Sequence, residues 1–126
     1  MANTITTTYQ INGSRIFSAK VDISGDGSGE AAAVDIITPA GLTGTPSKFK
    51  ITEIQWSLPG FVAELVWDAT SDVLAIALDG NGGIKFSETG QHLINNAGAG
   101  VTGKLQLTTI GLVAGEKGTI FIKGIH

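Results

Sequence analysis

The chain contains no cysteine. That removes disulfides, thiolate zinc sites and thiol nucleophiles, and it fits synthesis in a reducing cytoplasm. Histidine is nearly absent too, with only His92 and His126, so an imidazole metal cluster or a nucleophile with its base has too few partners. Charge is scarce: 15% of residues are charged against roughly 25% in an ordinary globular domain. With a positive mean hydropathy, this predicts a surface that is partly covered by other protein. The eight basic residues are scattered among eleven acidic ones, for a net charge of -3. No basic stripe for phosphates results, and nucleic acid is not an expected partner. No apolar run approaches the roughly 18 residues of a membrane helix, and the polar, threonine-rich stretch Met1 to Ile11 is no signal peptide. A soluble, unprocessed protein with no membrane partner is expected.

What the chain does have is glycine, 18 residues in 126 against three prolines, with many threonines. Short strands broken by turns account for this better than long helices do. Thr4 to Ile11 is β-branched and aromatic and stops at Asn12-Gly13, a hairpin dipeptide. Beyond it Phe17, Ala19, Val21 and Ile23 alternate with Ser18, Lys20 and Asp22, one face apolar and one solvated. Ala31 to Thr38 reads as a strand or, less readily, as a short helix. Ile51 and Ile54 fall on opposite parity, which predicts a bulge near Thr52 or Glu53. Leu58-Pro59-Gly60 reads as a turn into Phe61, Ala63, Leu65 and Trp67, which share one face. After a turn from Asp68 to Asp72, Val73 to Leu78 is apolar on both faces, as a strand covered on both sides would be. Ala63, Leu65, Trp67, Val73, Ala75 and Ala77 are the predicted central core. Gly80 to Gly83 reads as another turn, and Lys104 to Ile110 and Thr119 to Ile125 close the chain. The expected fold is all-β, a jelly-roll-like antiparallel β-sandwich of eight or nine strands in one domain, with residues 1–13 an extending arm or a strand.

Reactive chemistry is hard to assemble from these residues. No serine sits in a Gly-x-Ser-x-Gly elbow. Asp22, Ser24, Asp26 and Ser28 with Gly27 open a calcium-loop pattern, but Ala33 stands where the bidentate carboxylate belongs. Asp79 and Asn81 begin a similar pattern without its glutamate, so turn residues are the simpler reading for both. Glu53, Glu64, Asp68 and Asp72 are carboxylates available to glycoside chemistry, though no pair stands out. Trp56, Trp67 and Tyr9 are the available sugar-stacking rings, and the Trp67 pattern assigns it to the core. No enzyme activity, metal or cofactor is expected.

Leu65, Trp67, Asp68, Ala69 and Thr70, followed by an apolar partner strand and then by a Gly-rich loop leading into Gly103-Lys104-Leu105-Gln106-Leu107-Thr108-Thr109, resemble the small decoration, or cement, proteins of tailed-bacteriophage heads. The resemblance covers roughly Gln55 to Ile122. It implies a β-sandwich on the outer capsid surface of the virion, made in the host bacterial cytoplasm, often trimeric, that ties the major capsid protein lattice together without catalysis. Under it, the loops at Thr43 to Ser47 and His92 to Thr102 become candidate capsid or subunit contacts, with Thr43, Gly44, Thr45, Pro46, His92, Asn95, Asn96 and Val101 as candidate contact residues. The alternative is a carbohydrate-binding or receptor-binding module of a phage tail, which requires an exposed aromatic platform of Trp56 beside Tyr9, or a bound cation.

Overall fold

In a computed structural model, residues 4–25, 34–44, 49–86, 93–95 and 97–126 are described. They form seven antiparallel strands: β1 (Thr4–Asn12), β2 (Ile16–Ser24), β3 (Val34–Ile37), β4 (Lys50–Trp67), β5 (Val73–Lys85), β6 (Leu105–Ile110) and β7 (Lys117–Ile125). All belong to one sheet in the order β1-β2-β7-β4-β6-β3, with β5 paired to β4. The outer strands β1 and β3 approach each other, the Thr7 hydroxyl donating to the Ile36 carbonyl at 2.7 Å. The result is a nearly closed, barrel-like sheet and not the expected jelly roll of eight or nine strands.

The difference in strand number has a local cause. Leu58-Pro59-Gly60 and Gly80 to Gly83, both read as turns, are bends within unbroken strands. From Glu53 to Ser57 every residue of β4 has one partner in β7 and one in β5. From Val62 to Trp67 every residue has one in β6 and one in β5. β6 and β7 therefore follow one another along the edge of β4 that β5 leaves open. Between the two stretches, Leu58 pairs with Gly80 and Val62 with Asp79, so three β4 residues bulge out with no β5 residues to match them. Pro59 has no N–H to lose there. Gly60 supplies the left-handed φ of 90°, and the Glu116 carboxylate lies where a β-carbon on Gly60 would stand.

The bend folds one half of the sheet over the other. Each register shift also switches which parity points inward. Ile51 is buried before the shift between Ile51 and Glu53, Ile54 and Leu58 after it, and Phe61, Ala63, Leu65 and Trp67 beyond the bend. The bulge predicted near Thr52 or Glu53 is thus present. β2 shows its predicted alternation, with Phe17, Ala19, Val21 and Ile23 all buried. The segment predicted over Ala31 to Thr38 is a strand in its described part, Val34–Ile37.

Folding the sheet brings the two termini of β4 together. Phe49, just before the strand, meets Trp67, its last residue, with ring centroids 5.4 Å apart, and also Phe17 at 5.2 Å, both edge-on. These rings plug the end of the barrel opposite the bend. At the bend itself, Leu58, Phe61 and Leu112 are buried, and a β-carbon on Gly118 would come within 2.8 Å of both Leu58 and Phe61.

β5 corrects another expectation. Among the described residues it pairs only with β4, so Val73 to Leu78 is an edge and not an inner strand. Leu78 is buried, Val73 and Ala75 are half-buried, Ala77 is exposed and Leu74 is 51% exposed. Of the six predicted core positions, Ala63, Leu65 and Trp67 are fully buried.

Trp67 is 0% exposed and packs on Phe49, while its indole N–H is buried without an acceptor. Replacing it leaves a void no neighbour can fill, so Trp67→Ala should destabilise the fold by about 3 to 5 kcal/mol. Urea unfolding followed by circular dichroism measures this, and a change within about 0.5 kcal/mol would be that of a surface site.

Candidate functional site

The end of the barrel away from the bend collects most of the loops. β1 and β2 turn there through Gly13, where the Gly13 N–H donates to the Ile16 carbonyl at 2.8 Å. Asn12 fastens this hairpin to the loop after β3: its amide donates to the Gly41 carbonyl at 2.8 Å, and its side-chain oxygen accepts from the Thr43 N–H at 2.8 Å. The Thr43 hydroxyl returns a bond to the Asn12 carbonyl at 2.7 Å. A 3-10 turn, Pro39–Gly41, starts that loop, with the Thr38 hydroxyl accepting from the Gly41 N–H.

At the same end, the β4–β5 turn is tied to the segment leading into β6. Asp72 accepts from the Ala69 N–H at 3.1 Å and so shapes the turn. Asp68 accepts from the Thr102 hydroxyl at 2.7 Å, and its own N–H donates to the Lys104 carbonyl. The Thr70 N–H donates to the Ala99 carbonyl. Leu93 forms an antiparallel bridge with Ile51.

Four of the candidate contact residues can be placed, and all four belong to loops at this end. Thr43 and Gly44 are exposed. Asn95 accepts from the Ala97 N–H at 3.0 Å through its side-chain oxygen, and its buried amide nitrogen has no acceptor. The Val101 N–H donates to Gly98. Thr45, Pro46, His92 and Asn96 lie outside the described residues, as do Asp26, Gly27, Ser28 and Ala33 of the calcium-like pattern.

The remaining candidate chemistry does not converge. Asp22 lies within β2, held by Lys20 at 3.5 Å and by the Thr119 hydroxyl at 3.2 Å. Asp79 and Asn81 are in β5 and not in a turn. Glu53 accepts from Gln55 at 3.0 Å, while Glu64 stands across the bend from it between Ala77 and Thr108. Among the described residues, no three His, Asp or Glu side chains gather as a metal site would require.

The aromatic platform required by the tail-module reading is not formed. Trp56 shares the inward parity of Ile54 and Leu58, is half-buried against the core, and donates its indole N–H to the Asp79 carbonyl at 2.9 Å. Its ring covers Gly82, whose β-carbon would come within 2.7 Å of it. Tyr9 is on β1, separated from Trp56 by β2 and β7.

One surface feature at the loop-bearing end has no sequence signal of its own. Arg15, Ile16, Phe49, Lys50, Ile125 and His126 line an open groove of about 660 Å³. Ile16, Ile125 and Lys50 come from three adjacent strands in register, and only the pairing of those strands brings them together.

No family model matches the chain, and no curated protein matches it. Among solved structures, a chain of the "Acidic stable capsid structure of Helicobacter pylori bacteriophage KHP30" aligns with 98% of this chain and 94% of its own length. The identity is 10% and the TM-score 0.44.

Tyr9 provides a test of the β1–β3 seam. Burial raises its phenol above the usual value, and a hydrogen bond with the Thr38 backbone works in the other direction. Because the folded phenol holds its proton more tightly, the unfolded chain ionises first as pH climbs past about 10. The Tyr9 contribution is therefore complete below that pH and is lost as pH rises through the folded value. Denaturation midpoints of wild type and Tyr9→Phe should diverge only above about pH 10, the wild type falling more steeply; parallel curves would refute the burial of this phenol.

Proposed function

We propose that the chain is a structural protein of a tailed-phage virion that binds the outer surface of the head and stabilises the major capsid protein lattice. In this reading it acts as a homo-oligomer, with a trimer favoured, and it has no catalytic role. One observation carries the proposal. The two segments on which the decoration-protein resemblance rests, Leu65 to Thr70 and Gly103 to Thr109, are separated in sequence but form one unit in space. Leu65 pairs with Leu107 and Trp67 with Leu105, and the Asp68 to Thr102 bond closes the turn above them. A likeness made of unrelated short matches would not be expected to fall on one paired element.

The rest of the architecture suits this role. The bend and the aromatic plug hold a rigid sheet, and the loops with candidate contacts issue from one end of it, which suits attachment to a repeated surface. Modest affinity per subunit then suffices, because linked copies bind neighbouring sites at high effective concentration.

The test is light scattering on the purified chain, then co-sedimentation with empty heads of the phage that encodes it. A stable oligomer that pellets with heads in a saturable ratio is expected. A monomer that stays in the supernatant at all head concentrations would overturn the proposal.

A further inference from the structure

The groove at the loop-bearing end is apolar in its floor and cationic at its rim. Ile16 is 53% exposed and sits opposite Ile125, which in turn sits opposite Lys50. Phe49 closes the bottom. Ile11, 54% exposed, pairs with Ser18 and is not part of the groove lining. A large apolar side chain left half exposed beside a second in an open trough is the kind of surface that marks an interaction site.

Charge gives the trough a direction. Arg15 and Lys50 both line the groove, and no acidic residue does so among the described residues. The ion pairs formed among the described residues, Lys20 with Asp22 and Lys104 with Asp35, involve neither of them. Two cationic side chains outside those ion pairs and beside an apolar trough, on a chain whose net charge is -3, form a local exception to the overall sign of the side chains. The complementary ligand carries apolar side chains interleaved with carboxylates.

We infer that this groove is the seat for an extended acidic and apolar segment of a partner protein. Its apolar side chains lie along Ile16 and Ile125, and its carboxylates meet Arg15 and Lys50. Resting on the proposed function, the inference makes that segment part of the capsid surface. The isoleucine pair supplies apolar burial, while the two cations select the sign and speed the encounter. Arg15 can grip a carboxylate through two N–H groups, whereas Lys50 acts as a point charge.

The experiment uses the full chain and a fluorescein-labelled peptide, Asp-Leu-Asp-Leu-Asp-Leu, followed by fluorescence anisotropy. Serine in place of leucine makes one control peptide, and lysine in place of aspartate the other. Saturable binding of the acidic leucine peptide alone is expected, and it should weaken steeply with salt. Arg15→Glu combined with Lys50→Glu should weaken it by at least about tenfold, and Ile16→Ser should weaken it at every salt concentration. Lys117→Glu, on the strand end near the bend, should leave it unchanged. All four positions are exposed, and circular dichroism confirms folding. No binding, equal binding of the serine peptide, or indifference to the groove substitutions would overturn the inference. The same variants in head co-sedimentation separate the two readings. Heads that pellet wild type and the double variant equally refute the groove and leave the proposed function standing. Peptide binding without head binding does the reverse.

Discussion

Strand β4 is hydrogen-bonded on both edges over both halves of its length, and the rest of the molecule depends on its passing through the bend intact. Each half gives one side of the barrel a central strand. If the chain reversed at Pro59-Gly60, β6 and β7 would lose the common edge along which they succeed one another. The three unpaired residues of the bend cost few ladder bonds, since proline has no donor to satisfy. In exchange, two apolar faces that would otherwise meet water meet each other. Each large side chain so buried contributes roughly 1.5 to 3 kcal/mol, which readily offsets a few missing bonds and an indole N–H left without an acceptor at Trp67.

The bend also makes the two ends of the barrel chemically different. One end is closed by backbone proximity: glycine at 60 and 118 lets the turn before β7 lie against β4, and the Glu116 carboxylate accepts from the Val113 N–H to hold that turn. The other end is closed by three rings whose edges interlock, and around them stand loops tied by single polar residues, Asn12, Asp68 and Asp72. A plug of side chains leaves strand ends and side-chain tips facing outward. The gathering of loops at that end is a consequence of how the sheet is folded, not of any one loop.

Periodicity made much of this legible in the sequence. The alternation of Phe17 to Ile23 and of Phe61 to Trp67 specified buried faces, and the change of parity between Ile51 and Ile54 specified a bulge. Asn12-Gly13 specified the first hairpin. Pro59-Gly60 and Gly80 to Gly83 misled because a turn and a bulge place the same local demand on the chain, a residue without a donor or one at positive φ. The partner strand decides between them, and local sequence does not contain it. Val73 to Leu78 misled for a related reason: alternating alanines can lie against a core or at an edge at small cost, so apolarity on both faces did not fix its place. The candidate contact loops were legible as loops; their gathering at one end was not, because it follows from the fold of β4. The groove was wholly illegible, as its residues come from three separated stretches of sequence.

Net charge and local charge act at different ranges, and this decides which of them would govern the attachment proposed for the groove. At physiological salt the screening length is about 8 Å, shorter than the barrel, so the overall charge of -3 is felt weakly by a partner approaching one end. Within that distance Arg15 and Lys50 dominate among the side chains, with no Asp or Glu lining the groove beside them among the described residues. A chain can therefore be acidic enough overall to resist indiscriminate self-association and still present an attractive site to an acidic surface. The scarcity of charge makes this possible: with so few ionised side chains, a pair of cations needs no large cluster to set the sign of one face.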